Sequence, residues 1–475
     1  MQWTDAAATE SFVRDETTGV ELGDERLAAR LVTIFAAAAE APSSSFPRMS
    51  GSDAALEGTY RFLNNKKVTA EGVLAPHFRA TAQRVHATER VVIAHDTTEF
   101  SFGPVARGDL QPVGHGKSYG FDAHVALAVT GDESRIPLGV LAVKTFNRTF
   151  GSARLPGGKN KDKPDNTMHR WAENVRLVRQ RLGDAAHVVH VFDREADDYA
   201  LLAEMVELGA RFVVRQDTDR RLIRHRKDSK TRALIAQTPL VTEREVVISA
   251  RRKPTRKTHA SRTPVRKARK VQLEIRATTM VLPRTVGAGG RGPETLTLNL
   301  VEALERNPPA GQPPIAWWLW TNEPIDTPEQ ILEVIDTYRT RWVVEEYFKA
   351  LKSGCRFEDR QLESQHALFN ALAIFVPVAW RLLLLRSLSR QAPGGPAALA
   401  LTDLQQRALR GYMKKKRNVE LPLNLTLRDA MYAVAQLGGH ITNNGAPGWM
   451  VLARGMDRVL DIELGIALAL DRSDQ

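Results

Sequence analysis

Residues 187–215 read HVVHVFDREADDYALLAEMVELGARFVVR. HVVHVFD opens with a short run rich in β-branched valine, the mark of a buried strand, and the run stops at Asp193. Ala196 to Leu208 has the apolar spacing of a helix, and RFVVR returns to strand composition and ends on Arg215. A strand, a helix and a strand in this order make one α/β unit.

Working outward, the upstream sequence supplies the rest of a sheet. VVIAHD (91–96) is a short buried strand, FDAHVALAVT (121–130) a longer one and IPLGVLAVKTF (136–146) a third. MHRWAENVRLVRQRL (168–182) is an amphipathic helix. Three strands, a helix, a strand, a helix and a strand predict an α/β core with a mixed sheet of the ribonuclease-H-like kind. Downstream the pattern changes. Residues 220–319 are rich in Thr and Val and hold alternating runs such as REVVISA, KVQLEIRATTMVL and ETLTLNLVEAL, so they read as a β-rich insertion. Residues 1–75 and 366–475 are helical, and they flank a central domain over 76–365. In the first zone Leu27, Leu31, Ile34 and Phe35 recur at helical spacing while Arg26 and Arg30 share another face. That pattern fits a small DNA-reading module and equally a helical cap on the next domain. The last zone is split by QAPGGPAA and ends in an apolar helix from Met456 to Leu470.

Composition narrows the function. The chain has 475 residues, enough for two or three domains, and 67 Lys and Arg against 55 Asp and Glu give a net charge of +12. A polyanionic partner is the natural reading of such a balance. From Arg251 to Lys270 there are ten Lys or Arg residues and no acid, a basic loop able to replace counterions along a phosphate backbone or simply to remain solvated. The one cysteine, Cys355, has no partner for an internal disulfide, and zinc-finger spacing is absent, so neither a disulfide framework nor structural zinc is expected. MQWTDAAATESF lacks the basic and apolar regions of a secretory leader, and Ala367 to Trp380 is interrupted by Asn370 and Pro377, a buried helix and not a span. A cytoplasmic protein is expected.

Two aspartates, Asp96 and Asp193, follow directly on apolar runs, at the carboxyl ends of the strands read above. Functional groups of open α/β sheets gather at such ends, and two carboxylates on neighbouring strands suit Mg²⁺, a hard cation that takes oxygen ligands. Either aspartate also suits a turn or a helix cap. In 337–352, Tyr338, Arg341, Glu345 and Lys352 lie at offsets of 0, 3, 7 and 14, one stripe of a regular helix, with Trp342 and Lys349 beside it. A solvated face laced by Arg341–Glu345 and Glu345–Lys349 pairs has the same spacing. Gly287, Gly289 and Gly292 spell G-x-G-x-x-G, but an alternating run and not a helix follows, so the segment reads as a turn between strands and not a dinucleotide site. His95 and His124 read as packing residues within strands.

VVIAHDTTEFSF, VFDREADDYALL and YRTRWVVEEYFKALK resemble the three catalytic segments of the cut-and-paste DDE transposases of bacterial insertion sequences. The resemblance is to the subgroup with the Tyr-x2-Arg-x3-Glu-x6-Lys signature, in the branch of transposon five. It extends to LGDERLAARL and GSDAALEGTYRFLNN near the start and to YMKKKR and AQLGG near the end, and is weakest over 391–410 and in the tail. The resemblance implies that Asp96, Asp193 and Glu345 are catalytic and hold two Mg²⁺ ions, with Mn²⁺ able to substitute. It implies that Tyr338, Arg341, Lys352 and Arg215 grip phosphates, that Trp317 stacks a flipped base, and that Arg26 and Arg30 belong to a module over 1–75 that reads transposon ends. It further implies inverted-repeat double-stranded DNA and target DNA as partners, a homodimer in the synaptic complex held by 366–475, and a bacterial cell in which the protein joins the nucleoid when bound to DNA. Hydrolytic nicking, hairpin formation and opening, and strand transfer are the expected steps. The alternative is a catalytically silent DNA-binding relative that inhibits transposition.

Overall fold

The computed structural model of the chain describes residues 9–147, 167–222, 229–248, 265, 267–285, 288, 290–441, 443 and 445–473. The helices are α1 (Thr9–Thr17), α2 (Glu25–Glu40), α3 (Phe46–Met49), α4 (Asp53–Asn64), α5 (Ala70–His86), α6 (Thr167–Leu182), α7 (Tyr199–Glu207) and α8 (Thr231–Ile235). They continue as α9 (Pro328–Thr340), α10 (Trp342–Lys349), α11 (Gln365–Gln391), α12 (Asp403–Tyr412), α13 (Leu427–Leu437) and α14 (Trp449–Ser473). The strands are β1 (Val91–Ser101), β2 (Gln111–Val113), β3 (Ser118–Thr130), β4 (Pro137–Phe146), β5 (Val188–Phe192) and β6 (Arg211–Arg215), then β7 (Thr242–Ile248), β8 (Arg269–Pro283), β9 (Thr295–Glu305) and β10 (Ala316–Thr321). Contacts divide the chain into two compact units whose bounds cross the three zones read from the sequence. One holds Met1–Ala153, Arg176–Ala185 and Trp342–Gln475, the other Arg154–Val175 and Ala186–Arg341.

In the first unit β3 pairs antiparallel with β1 along one side and with β2 and β4 along the other. β1 does not stop at Asp96, as its apolar run suggested, but continues to Ser101. The reason is the alternation of TTEFS: Thr98 and Phe100 are buried, so each further pair with β3 keeps covering apolar surface. Side-chain caps set the helix starts, Asp24 for α2, Ser52 for α4, Thr69 for α5 and Ser364 for α11, each satisfying amide groups at about 1 kcal/mol. α11 is apolar on every face because it is a core helix. By length and composition it could cross a membrane, yet 83% of its most apolar window is buried within the protein. Trp380 on α11 donates its indole N–H to the Pro137 carbonyl and packs near Phe12 of α1, which also touches Phe35 of α2. At the carboxyl side α12, α13 and α14 share a cluster that includes Leu409, Ala433, Leu437 and Val459, and α14 starts at Trp449, earlier than the Met456 expected.

In the second unit the strand order is β5-β6-β10-β9-β8-β7. β5 and β6 are parallel and the remaining neighbours antiparallel, so the sheet is mixed. Trp171, Phe192, Tyr199, Phe212, Leu300 and Trp320 anchor its core. The alternating runs within 220–319 form β7, β8 and β9, and β10 joins them to β6. Pro283 of β8 pairs with Thr295 of β9, so the glycine motif spans a connection between two strands, as read. Gly292 sits at φ +78° there, while Gly287 and Gly289 lie outside the described residues. The basic stretch from Arg251 also lies outside them, apart from Val265 and the residues from Lys267 onward, where Arg269 and Lys270 open β8.

Candidate active site

Asp96 lies in the middle of β1, opposite Val125, and its Oδ1 accepts the Thr97 amide at 2.8 Å. Strand alternation puts Asp96 on the face that carries Thr98 and Phe100. Phe100 packs edge-on to Phe357 at 5.1 Å and against Phe121 at 5.4 Å, and Phe121 meets Phe369 of α11 at 4.9 Å. The face of Asp96 is thus the one covered by the segment after α10 and by α11. The two histidines lie on the other face. His124 Nδ1 is 2.9 Å from Thr97 Oγ1, and its ring stacks on His95 at 5.7 Å, with both rings buried. They pack the sheet, as expected, on the side away from the carboxylate.

Glu345 is in the first turn of α10, half-buried, and α10 packs against β1. The single helical stripe expected from Tyr338 to Lys352 does not exist as one regular helix. α9 ends at Thr340, Arg341 occupies a turn with its amide on the Tyr338 carbonyl at 3.1 Å, and α10 begins at Trp342. Beyond it Ala350–Gly354 forms a π turn, closed by the Cys355 amide on Ala350 O at 2.7 Å, which shifts Lys352 from the 3.6-residue register. Gly354 lies in that turn close to Trp449 and Leu382, where a Cβ would come within 3.2 Å of Leu382. Lys352 folds inward: its ammonium donates to the Glu99 carbonyl, lies 3.5 Å from Glu358 Oε1 and sits 5.3 Å over the Phe100 ring. Nor is the stripe a solvated face. Tyr338 and Arg341 are buried, and Lys349 pairs with Glu346 at 2.7 Å. Glu346 is further held by Arg386 at 2.8 Å; burial alone would raise its carboxyl, but Lys349 and Arg386 hold it below the usual range.

In the second unit Asp193 follows β5 directly, and its Oδ1 accepts the Glu195 amide at 2.8 Å, capping the 3₁₀ turn Arg194–Ala196. The expected helix from Ala196 is therefore this turn followed by α7, whose cap is Asp198. Phe192 pairs in parallel register with Val214, so Asp193 and Arg215 leave neighbouring strands at one level. Arg215 donates to the Ala316 carbonyl at 3.4 Å. One residue further along β10, half-buried Trp317 meets the Tyr338 ring at 5.6 Å and 61°. The sequence reading missed Asp197, whose carboxylate is buried beneath the same turn; its only mark was the second aspartate of Asp-Arg-Glu-Ala-Asp.

The arginines near the start differ from one another. Arg26 is solvent-exposed and pairs with Asp24 at 3.1 Å, whereas Arg30 lies across α4, where a Cβ on Gly58 would stand 2.9 Å from its guanidinium. Among the described residues no group of three or more His, Cys, Asp or Glu side chains is disposed to hold a metal ion. Asp96 on β1 and Glu345 on α10 are both carboxylates, the oxygen ligands that a hard cation takes.

Residues 9–68 match the transposase DNA-binding family, and residues 139–376, half of the chain, match the transposase DDE domain. Asp193 and Glu345 fall within the second match, and Asp96 precedes it. The chain also resembles the piggyBac transposase in a cryo-EM structure of its synaptic complex with hairpin DNA, at 11% identity over 82% of this chain and 72% of that one, with a TM-score of 0.33, a likeness too loose to carry weight. A DDE domain implies a ribonuclease-H-like core, and its family typically works with divalent metal ions. By the extent of that match the chain belongs to the DDE-domain transposases, with a transposase DNA-binding segment ahead of the catalytic part.

Proposed function

We propose that this transposase works by cut-and-paste, with Asp96, Asp193 and Glu345 as its catalytic carboxylates. What carries the reading is the packing of α10, which bears Glu345, against β1, which bears Asp96, in a chain whose DDE match includes Asp193 and Glu345. Mg²⁺ held by these oxygens would supply a polarised nucleophile and stabilise the leaving oxygen. The rest is the work of this chain's own side chains. Arg215, level with Asp193, and Arg341, in the turn before α10, hold the reacting phosphate. Lys352 steadies β1 through the Glu99 carbonyl. Trp317, backed edge-on by Tyr338, offers a ring face to a base displaced as a hairpin forms. Water cuts one strand and leaves a 3′ hydroxyl; that hydroxyl displaces the opposite strand to close a hairpin, water reopens it, and the freed 3′ hydroxyl joins target DNA. Each step is an in-line displacement at phosphorus. The DNA-binding segment includes exposed Arg26, and exposed Leu464 and Leu468, one turn apart on α14, suit a homodimer contact.

The test is a nicking assay with an end-labelled duplex carrying the inverted repeat that flanks the gene, with Mg²⁺ as the only divalent ion. Asp96→Ala, Asp193→Ala and Glu345→Ala should each lower nicking by roughly 1000-fold while end binding persists. A variant that still nicks at the wild-type rate removes its residue from the site. A wild-type protein that binds ends but never nicks them is the silent inhibitor, a reading the carboxylates do not favour.

A further inference from the structure

We infer that Asp197 is a positioning residue, a buried clamp that holds the ends of β5 and β6 in the alignment that brings Asp193 beside Arg215. The inference rests on the proposed function and deepens it. Parallel strands are joined by backbone hydrogen bonds only as far as the ladder runs, here to Phe192 and Val214. Beyond that level Asp193 opens the turn 193–197, while Arg215 ends β6 and leads into the segment 216–220, so a link past the ladder is needed to keep the two chain ends together. Asp197 does so with both carboxylate oxygens. Oδ2 accepts the amides of Asp217 at 2.8 Å and Thr218 at 3.0 Å, and Oδ1 accepts Arg220 Nη2 at 2.5 Å. The same Nη2 reaches the Asp197 carbonyl at 2.7 Å. The Asp197 side chain is fully buried and that of Arg220 nearly so.

Both segments are fixed to their surroundings. Ahead of Asp197, the turn is closed by the Asp197 amide on Arg194 O at 3.2 Å and by the Asp193 cap. On the far side, the Gln216 amide donates to Trp318 O at 2.7 Å, and Asp219 accepts Thr231 Oγ1 and the Arg232 amide, each at 3.0 Å. Arg232 in turn donates to Gln216 Oε1 at 3.1 Å and lies 4.2 Å over the Trp318 ring. Asp197 therefore ties the 193–197 turn directly to the segment that follows β6 and, through Gln216 and Arg232, to β10. Its carboxylate accepts three donors and has no need to touch substrate, so its influence on chemistry is through the spacing of Asp193 and Arg215. Groups that orient a ligand or phosphate contact commonly change activity by about 10- to 100-fold when removed.

The experiment uses the full-length protein on its end duplex. In Asp197→Ala the single-turnover nicking rate should fall about 10- to 100-fold, while the dissociation constant for the end duplex stays within about twofold, because the DNA-binding segment is not involved. The amides of Asp217 and Thr218 should exchange hydrogen faster, a readout independent of activity. Arg220→Gln, which keeps both amide bonds, is the milder variant in case the first does not fold, and should show a smaller loss in the same direction. Asp197→Asn combined with Arg220→Gln replaces the ion pair by a neutral one and should recover most of the rate. Wild-type nicking in Asp197→Ala with exposed amides overturns the clamp, as does a loss of nicking, end binding and cooperative melting together. Absence of nicking in the wild type would instead overturn the proposed function.

Discussion

Asp96 and Asp193 each close an apolar run, yet the chain does opposite things after them. After Asp96 the residues TTEFS alternate, and β1 goes on for five more positions with Asp96 at its centre. After Asp193 the residues READD cannot alternate, and the chain turns at once into a 3₁₀ segment that Asp193 itself caps. The aspartate is not what ends a strand; the burial pattern of the next four or five residues is.

Their surroundings differ in the same sense. The first unit buries cations on carbonyls and carboxylates of other elements, several of them far away in sequence. Arg360 donates to the carbonyls of Ser44, Pro42 and Cys355, and Arg381 to those of Ala39 and Leu399. Burial pushes both guanidinium pKa values down to about 10, which leaves them charged at neutral pH. Glu16 of α1 pairs with His77 and Arg84 of α5, His77 Nε2 accepts the Val140 amide at 2.9 Å, and Arg84 donates to Leu138 O at 2.9 Å. The second unit instead pairs these buried acids within its sheet: Glu305 takes Arg269 and Glu302 takes Arg276 at 3.4 Å, both from β9 to β8, and Glu274 takes Arg276 at 3.1 Å along β8 itself.

The strongest way to test this contrast is Glu16→Ala. Burial alone would raise the Glu16 carboxyl, but His77 and Arg84 hold it below the usual range, so removing it leaves Arg84 buried without its carboxylate. A loss of about 3–5 kcal/mol in urea unfolding is expected. A loss under about 1 kcal/mol would mean that the ties between distant elements matter no more than surface pairs.

Next comes His190 on β5, which burial pushes down to about 4. Between pH 6.5 and 4 the unfolded chain binds a proton there that the folded chain does not, so stability present at neutral pH is lost as pH falls through that window. The contribution is about 3 kcal/mol. His190→Gln should flatten the pH dependence of unfolding between pH 6.5 and 4, and an unchanged slope would show that His190 is not the group responsible.

Of comparable or smaller size is the split between Arg341 and Lys352. Arg341→Ala should slow hairpin formation about 100-fold and the first nick less, because water needs less positioning than a tethered hydroxyl. Lys352→Ala, which removes one donor to Glu99, should cost about tenfold at every step. The steps are resolved on a denaturing gel, and equal losses at each step for Arg341→Ala would remove it from hairpin positioning.

The smallest effect returns to the two aspartates. Asp193→Ala should lower the folding free energy by about 1 kcal/mol through the lost cap, whereas Asp96→Thr, which suits a strand interior, should leave thermal stability unchanged or improved. Equal melting shifts for the two variants would erase the distinction drawn between their backbones.

The α/β order of the core, the strands within 220–319 and the position of Asp193 at a strand end were legible from the sequence, because each depends on periodicity over a few residues. The family was legible from three short segments. Asp96's place within β1 was not, since it depends on how far β3 offers partners. The stripe from Tyr338 to Lys352 failed for a related reason: a constant 3.6-residue period cannot anticipate the turn at Arg341 or the π turn that the neighbourhood of Trp449 and Leu382 accommodates. Arg360, Arg381 and Glu16 carry no local pattern at all, and Asp197 only its place in Asp-Arg-Glu-Ala-Asp. The sequence alone determined which residue types suited to phosphoryl-transfer chemistry the chain carries and that Asp193 follows a strand, since those follow from composition and spacing along the chain. Only the tertiary structure decided which of them are buried, which carbonyl or amide each one meets and where the helices break, because those outcomes depend on burial and hydrogen bonding between segments hundreds of residues apart.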